Sequence, residues 1–324
     1  MGDMKRGLIA AFTILAALGA GVPLNRARAA DPSTGDWLGQ INRYRAMADL
    51  EPVVEDPSAS AGDLNHARYL VKRFEEELPE TVDTHDEGRE TSWSTPSGAL
   101  AASLSDIAFR AGSPDSVDLA AQIKEVINDW MADPFERLPI LDPDLRKVGL
   151  GTYREKDFTV IVLQVRTPPP SPEEMVMGGS EEYRKQQPPA PSSKYPLMFP
   201  PNGAIVPLAA YQGGGSPNPL ASCANYVTPT GLPITLELGP SAQGETIVSH
   251  TVVSGAIVLE HCIFTPGTYV GFGDDQTIVG RRNLATFGAI VMVPRVSFHN
   301  GGQYTVTIKT DKREYKWSFT VRLE

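Results

Sequence analysis

Between Trp130 and Gly151 the chain reads WMADPFERLPILDPDLRKVGLG, and this stretch leaves few folds open. The run into Trp130 carries Val117, Ala120, Ile123, Ile127 and Trp130 on one stripe, which predicts a helix over Asp115 to Met131. Pro134 removes a backbone donor and restricts Asp133 before it, so the helix stops there. A compact apolar segment, Leu138 to Leu141, follows and is cut by Pro143. Lys147 to Tyr153 then alternates toward a strand with Gly149 and Gly151 inside it. Helix, double-proline bend and glycine-bearing strand together predict a tight corner.

The residues before the corner read as helices. Asp36 to Leu50 places Leu38, Ile41, Tyr44 and Met47 on one face. Asp56-Pro57 is an N-cap followed by proline at the first helical position. The helix it starts carries Leu64, Ala67, Val71, Phe74 and Leu78 at three-to-four-residue spacing, and Pro79 ends it. Thr81 to Pro96 is polar, unperiodic and contains His85, which predicts a loop. Ser97 to Arg110 is alanine-rich and predicts a third helix. After the corner, the polar turn Arg154 to Asp157 and the run Phe158 to Val165 complete a hairpin.

The words Trp130, DPFER, PIL, DP and VGLG resemble the signature of the CAP superfamily, the SCP-like extracellular proteins related to cysteine-rich secretory and plant pathogenesis-related proteins. The resemblance covers residues 36–166 and is strongest from Trp130 to Gly151. It implies a three-layer α-β-α sandwich and a cleft lined by two histidines and two acidic residues, at times with a divalent metal. His85, in Thr84-His85-Asp86, matches the first histidine. Glu136 stands where the family has its second. Asp133 is the nearest counterpart of one acidic residue. Ser97-Gly98-Ala99-Leu100-Ala101 lies where the other is sought, and Glu90 is the nearest substitute. His66, in the His-Ala-Arg-Tyr word, matches a position where bacterial members also carry histidine. Without the resemblance, Glu136 and Arg137 read as a solvated lip, Asp133 as a helix-end residue and His66 as a structural histidine.

One imidazole with two or three carboxylates suits a hard divalent cation better than zinc. If a metal is held, His85, Asp133 and Glu136 are its expected ligands. Ser92, Ser94 and Ser97 lie near His85, but no GxSxG elbow occurs, and the absence of cysteine before Cys223 excludes a cysteine protease there. Asp86, Glu87 and Glu90 could supply a general acid-base pair, although a solvated acidic face explains them as well. Gly213-Gly214-Gly215 lacks the lysine and the strand-to-helix setting of a phosphate cradle.

At the N-terminus, Lys5 and Arg6 precede an apolar run from Gly7 to Leu24, and Ala27-Arg28-Ala29 offers a cleavage site after Ala29 or Ala30. This predicts a signal peptide over residues 1–30, export to the periplasm or outside the cell, and no membrane span after cleavage. A formal net charge of −10 gives the chain no electrostatic reason to bind nucleic acid. Two cysteines in an exported chain, Cys223 and Cys262, read as one disulfide worth roughly 3 to 4 kcal/mol.

The CAP-like domain is thus expected over residues 31–166 and a proline-rich spacer over 167–194. Residues 195–324 break into short β-like runs, including Leu232 to Leu238, Thr246 to Val253, Ala256 to Phe264, Leu284 to Val293, Gln303 to Thr310 and Tyr315 to Val321. They predict an all-β sandwich, and their last hairpin resembles that of bacterial immunoglobulin-like modules. His250 and His261 could pair across a hairpin and otherwise read as sheet surface. The fold class expected is α+β, an α-β-α sandwich followed by an immunoglobulin-like sandwich. The function expected is non-catalytic binding of a small hydrophobic, lipid or peptide ligand, or of an envelope component, in the CAP cleft. A metal-assisted hydrolase of envelope or extracellular polymers is the alternative, and a structural adhesion protein the third reading.

Overall fold

A computed structural model describes residues 34–88, 91–112, 117–168, 194–240, 242 and 245–323. Residues 1–30, Glu90 and most of the proline-rich segment lie outside the described residues.

Helix α1 (Trp37–Met47) is capped by Asp36, whose carboxylate accepts from the Gly39 amide at 3.1 Å. Strand β1 (Val54–Glu55) leads into α2 (Pro57–Glu76), started by Asp56 and Pro57 as the sequence predicts. The buried stripe of α2 is rotated from the expected one. His66, Ala67, Leu70, Val71 and Phe74 face inward, whereas Leu64 and Leu78 are exposed. The backbone of α2 at Asp63 and Leu64 rests directly on a strand, so Leu64 is turned aside.

The alanine-rich segment is shorter as a helix than expected. Helix α3 spans Pro96–Leu104, and Ser105–Ala111 is strand β2. Helix propensity yields here to pairing, because β2 runs antiparallel to β4 (Phe158–Gln164) from Ser105 opposite Gln164 to Ala111 opposite Phe158. Phe109 then lies 5.2 Å from Phe74, ring to ring. Helix α4 (Leu119–Ala132) and the short α5 (Pro134–Ile140) lead to β3 (Lys147–Glu155). The Leu138 to Leu141 segment is therefore mostly helical.

The sheet order is β1-β3-β4-β2, with β1 parallel to β3 and the other pairs antiparallel. Alternation on β4 divides the core. Val160 and Val162 pack with Leu70 and Phe74, while Ile161 and Leu163 pack with Ile41, Ile127 and Trp130. Helices thus cover both faces, as an α-β-α sandwich requires.

Beyond residue 194 the chain is β-rich. One sheet has the order β11-β10-β14-β15-β6 and a second β12-β13-β9-β5, with β7 and β8 as a separate pair. These are β5 (Leu197–Phe199), β6 (Ile205–Val206), β7 (Ala210–Tyr211), β8 (Thr230–Gly231), β9 (Ile234–Glu237), β10 (Ile247–Ser254), β11 (Ile257–Val258), β12 (His261–Phe264), β13 (Ala289–Pro294), β14 (Gln303–Thr310) and β15 (Glu314–Val321). Cys223 and Cys262 form the expected disulfide.

The all-β expectation fails at one element. Asp274–Phe287 is a helix, α6, ended by Gly288 at φ 57°, and the strand expected over Leu284 to Val293 begins only at Ala289. Two acidic residues open α6, and Gly280, Leu284 and Phe287 form its buried face. A side chain at Gly280 would collide with the Tyr269 ring, so glycine permits this packing.

The two parts share their core. Leu197 and Phe199 join the cluster that holds Ile41, Ile127 and Trp130, with Tyr44 6.4 Å from Phe199 between ring centroids. Phe135 and Leu138 of α5 pack with Phe264, Tyr269, Leu284 and Val291.

Candidate functional site

Two features hold the Trp130 to Gly151 corner. Arg45, fully buried on α1, donates to the carbonyl oxygens of Ile140, Asp142 and Leu145 at 2.7, 3.0 and 3.2 Å. One guanidinium thus satisfies three carbonyls at and beyond the C-terminal end of α5. Gly149 and Gly151 then let α2 approach β3. A Cβ at Gly149 would lie 2.6 Å from the Ser60 nitrogen, and one at Gly151 would strike the Leu64 nitrogen.

The corner delivers α5 to a cleft of about 690 Å³ between the sandwich and the β-rich region. His85, Glu136 and Arg166 line one side, and Pro217, Val279 and Phe287 the other. Two of the expected residues, His85 and Glu136, therefore meet here. His85 Nδ1 lies 2.9 Å from the Ala102 carbonyl oxygen, which receives an N–H from that nitrogen and leaves Nε2 for the cleft.

Asp133 lies behind this wall. It caps α5, accepting from the Phe135 amide at 2.8 Å, and the Tyr211 hydroxyl lies against it. A Cβ at Gly215 would strike its other oxygen, so the glycine-rich loop packs onto Asp133. Burial, reinforced by the charge of Glu136, raises the Asp133 carboxyl to about 7.

Sequence reasoning missed Asp106. Placed within a predicted helix, it instead sits fully buried on β2 beside the carboxyl of Glu136, filling the acidic position that Ser97 to Ala101 leave open. Ile107 and Phe109, strand formers after an alanine run, were the available signal. Arg166 Nη1 is 3.4 Å from Asp106 Oδ1. Burial raises Asp106 to about 6, with Arg166 opposing. Burial and then the charge of Asp106 push Glu136 well above the carboxylate range. Two facing carboxyls hydrogen-bond only when one proton lies between them, so the pair holds a proton in common.

His66 is elsewhere. Its Nδ1 is 2.9 Å from Glu87 Oε1 and its Nε2 2.8 Å from the Thr84 carbonyl oxygen, with both side chains buried. Glu87 also accepts from the Thr95 amide at 2.9 Å. The pair ties α2 to the loop before α3, the structural role. Arg137 is not a solvated lip: it is fully buried and donates to the carbonyls of Met131 and Pro233 at 2.6 and 3.0 Å. His250 and His261 do pair, nitrogen to nitrogen at 2.7 Å.

The donors do not fit the divalent cation expected of them. His85 offers one nitrogen, Asp133 has an oxygen engaged by the Phe135 amide, and Glu136 is tied to Asp106. Among the described residues no group of three or more His, Cys, Asp or Glu is placed to hold a metal.

The α-β-α sandwich and its helix-to-strand corner, with WxxDP and VGLG, define one domain. Residues 38–165 match the family model of the cysteine-rich secretory protein family, CAP. These residues form a CAP domain. No curated protein matches the chain significantly. No helix among the described residues is long and apolar enough to cross a membrane.

Proposed function

We propose that this is an exported CAP-domain protein that binds a small hydrophobic or peptide ligand in the cleft between the sandwich and the β-rich region. The observation that carries the reading is the lining. Phe135, Pro139, Val165, Val279 and Phe287 supply an apolar wall, and His85, Glu136 and Arg166 supply a few converging polar groups. That mixture and a volume within the roughly 300 to 1,000 Å³ of small-molecule sites mark a binding cleft. The signal peptide over residues 1–30 and an immunoglobulin-like C-terminal module belong to the same reading. The test is titration with the neutral fluorophore phenylnaphthylamine. Wild type should bind saturably, and Val279→Trp, which narrows the cleft, should abolish it. Equal binding by the variant, or none by wild type, overturns the reading.

A second reading is a hydrolase of envelope polymers working by acid-base chemistry. The proton shared by Asp106 and Glu136, beside a histidine with one free nitrogen, favours it. Turnover of a fluorogenic glycoside and peptide panel, lost in Glu136→Gln, is its expected result. No turnover by wild type removes it.

A further inference from the structure

Five charged or titratable side chains line the cleft: His85, Glu136, Asp142, Arg166 and Arg282. Their charges do not cancel. Glu136 faces the buried Asp106, and burial and that neighbour push its carboxyl well above the ordinary carboxylate range. Asp142 lies against the buried Arg45 and accepts from the Asp144 amide at 2.8 Å. Arg166 is drawn partly onto Asp106. Arg282, on α6, is exposed and makes no salt bridge among the described residues.

The position of Arg282 is fixed by its helix. Asn283 beside it donates to the Phe135 carbonyl oxygen at 3.3 Å, and Leu284 and Phe287 are buried in the cluster that holds Phe135. Arg282 therefore lines the cleft from a helix packed on the core, with Val279 and Phe287 beside it. The cleft thus sets a guanidinium without a salt bridge among the described residues beside an apolar wall. A guanidinium presents a planar fork of donors suited to carboxylate and sulfonate oxygens.

Resting on the reading of this cleft as a ligand site, we propose that its ligand is an organic anion: an apolar body against Phe135, Pro217, Val279 and Phe287, with its acidic group read by Arg282 and Arg166. The β-rich region then takes part in recognition, because α6 carries the residue that selects the charge. A cationic ligand would meet the guanidiniums of Arg166 and Arg282, so the cleft disfavours it.

The test compares two fluorophores with similar apolar bodies on the full chain. Anilinonaphthalene sulfonate carries the anion, and phenylnaphthylamine does not. Wild type should bind the sulfonate more tightly than the amine. Arg282→Gln should weaken the sulfonate about tenfold, as expected for one hydrogen bond to a charged group, and leave the amine unchanged. Lys309→Gln, which removes the same charge from an exposed strand position, should change neither. Equal affinity for both probes, with no effect of Arg282→Gln, overturns the anion assignment while the cleft reading stands. Binding of neither probe overturns both.

Discussion

Arg137 Nη2 lies 3.0 Å from the carbonyl oxygen of Pro233, a contact that crosses 96 positions of sequence and ties helix α5 to the β-rich region. The same guanidinium stands 4.4 Å over the Phe199 ring. Burial pulls it down to about 9, and the buried Glu237 opposes that shift. Removing it would leave the Met131 and Pro233 carbonyls without this donor and the buried Glu237 without its opposing charge. Arg137→Ala should destabilise the protein by about 3 kcal/mol or more. Urea denaturation checks this, and one cooperative transition should report both parts because they share a core.

Gly151 has a comparable role inside the sandwich. Any side chain there meets the α2 backbone at Leu64, which cannot rotate away. Gly151→Ala should cost about 2 to 3 kcal/mol by overpacking, read from its urea midpoint.

Asp63 makes stability depend on pH. It is fully buried and accepts from Ser105 Oγ at 3.0 Å and the Gln164 amide at 3.2 Å, and burial raises its carboxyl to about 7. A folded-state value above the unfolded one means that the native state holds the proton more tightly. Its contribution is therefore complete below about pH 4 and is lost as pH rises through about 7. Asp63→Asn should flatten the fall in unfolding free energy between pH 5 and 7 by up to about 1.4 kcal/mol per pH unit. Chemical denaturation across that range measures it. An unchanged slope would place the proton elsewhere.

The two histidines should separate by phenotype. Glu87→Ala strips the buried His66 of its carboxylate partner and should cost about 2 to 3 kcal/mol with probe binding intact. His85→Ala should weaken probe binding and leave the thermal midpoint within about 2 °C, because the ring lines the cleft and not the core. Paired thermal melts and titrations check both.

Much of the sandwich was legible because its signals are local. Asp56-Pro57 starts α2, Pro134 stops α4, and the glycines of VGLG mark a close approach. Asp106 was hidden because alanines ahead of it favour helix while strand β4, some fifty positions away, claims the segment. Helix α6 was hidden because its exposed face carries Ile278 and Val279, which blur the amphipathic contrast that marks a helix. Arg137 reads as part of a solvated lip and Arg45 carries no signal of its own, and only the fold reveals the carbonyl oxygens that they collect. The cleft itself depends on residues from both ends of the chain, so its far wall could not be read from the CAP resemblance.

Ligand is expected to enter the cleft lined by α5 and α6. Hydrogen-deuterium exchange on the full chain, with and without saturating phenylnaphthylamine, tests it most directly. Protection should appear in the segments of α5 and of α6 from Val279 to Phe287, and around His85. A second groove of about 680 Å³, lined by Gln40, Lys124, Asn128, Ile205 and Leu323, provides the contrast. Protection confined to that groove, with α5 and α6 unchanged, would contradict the account.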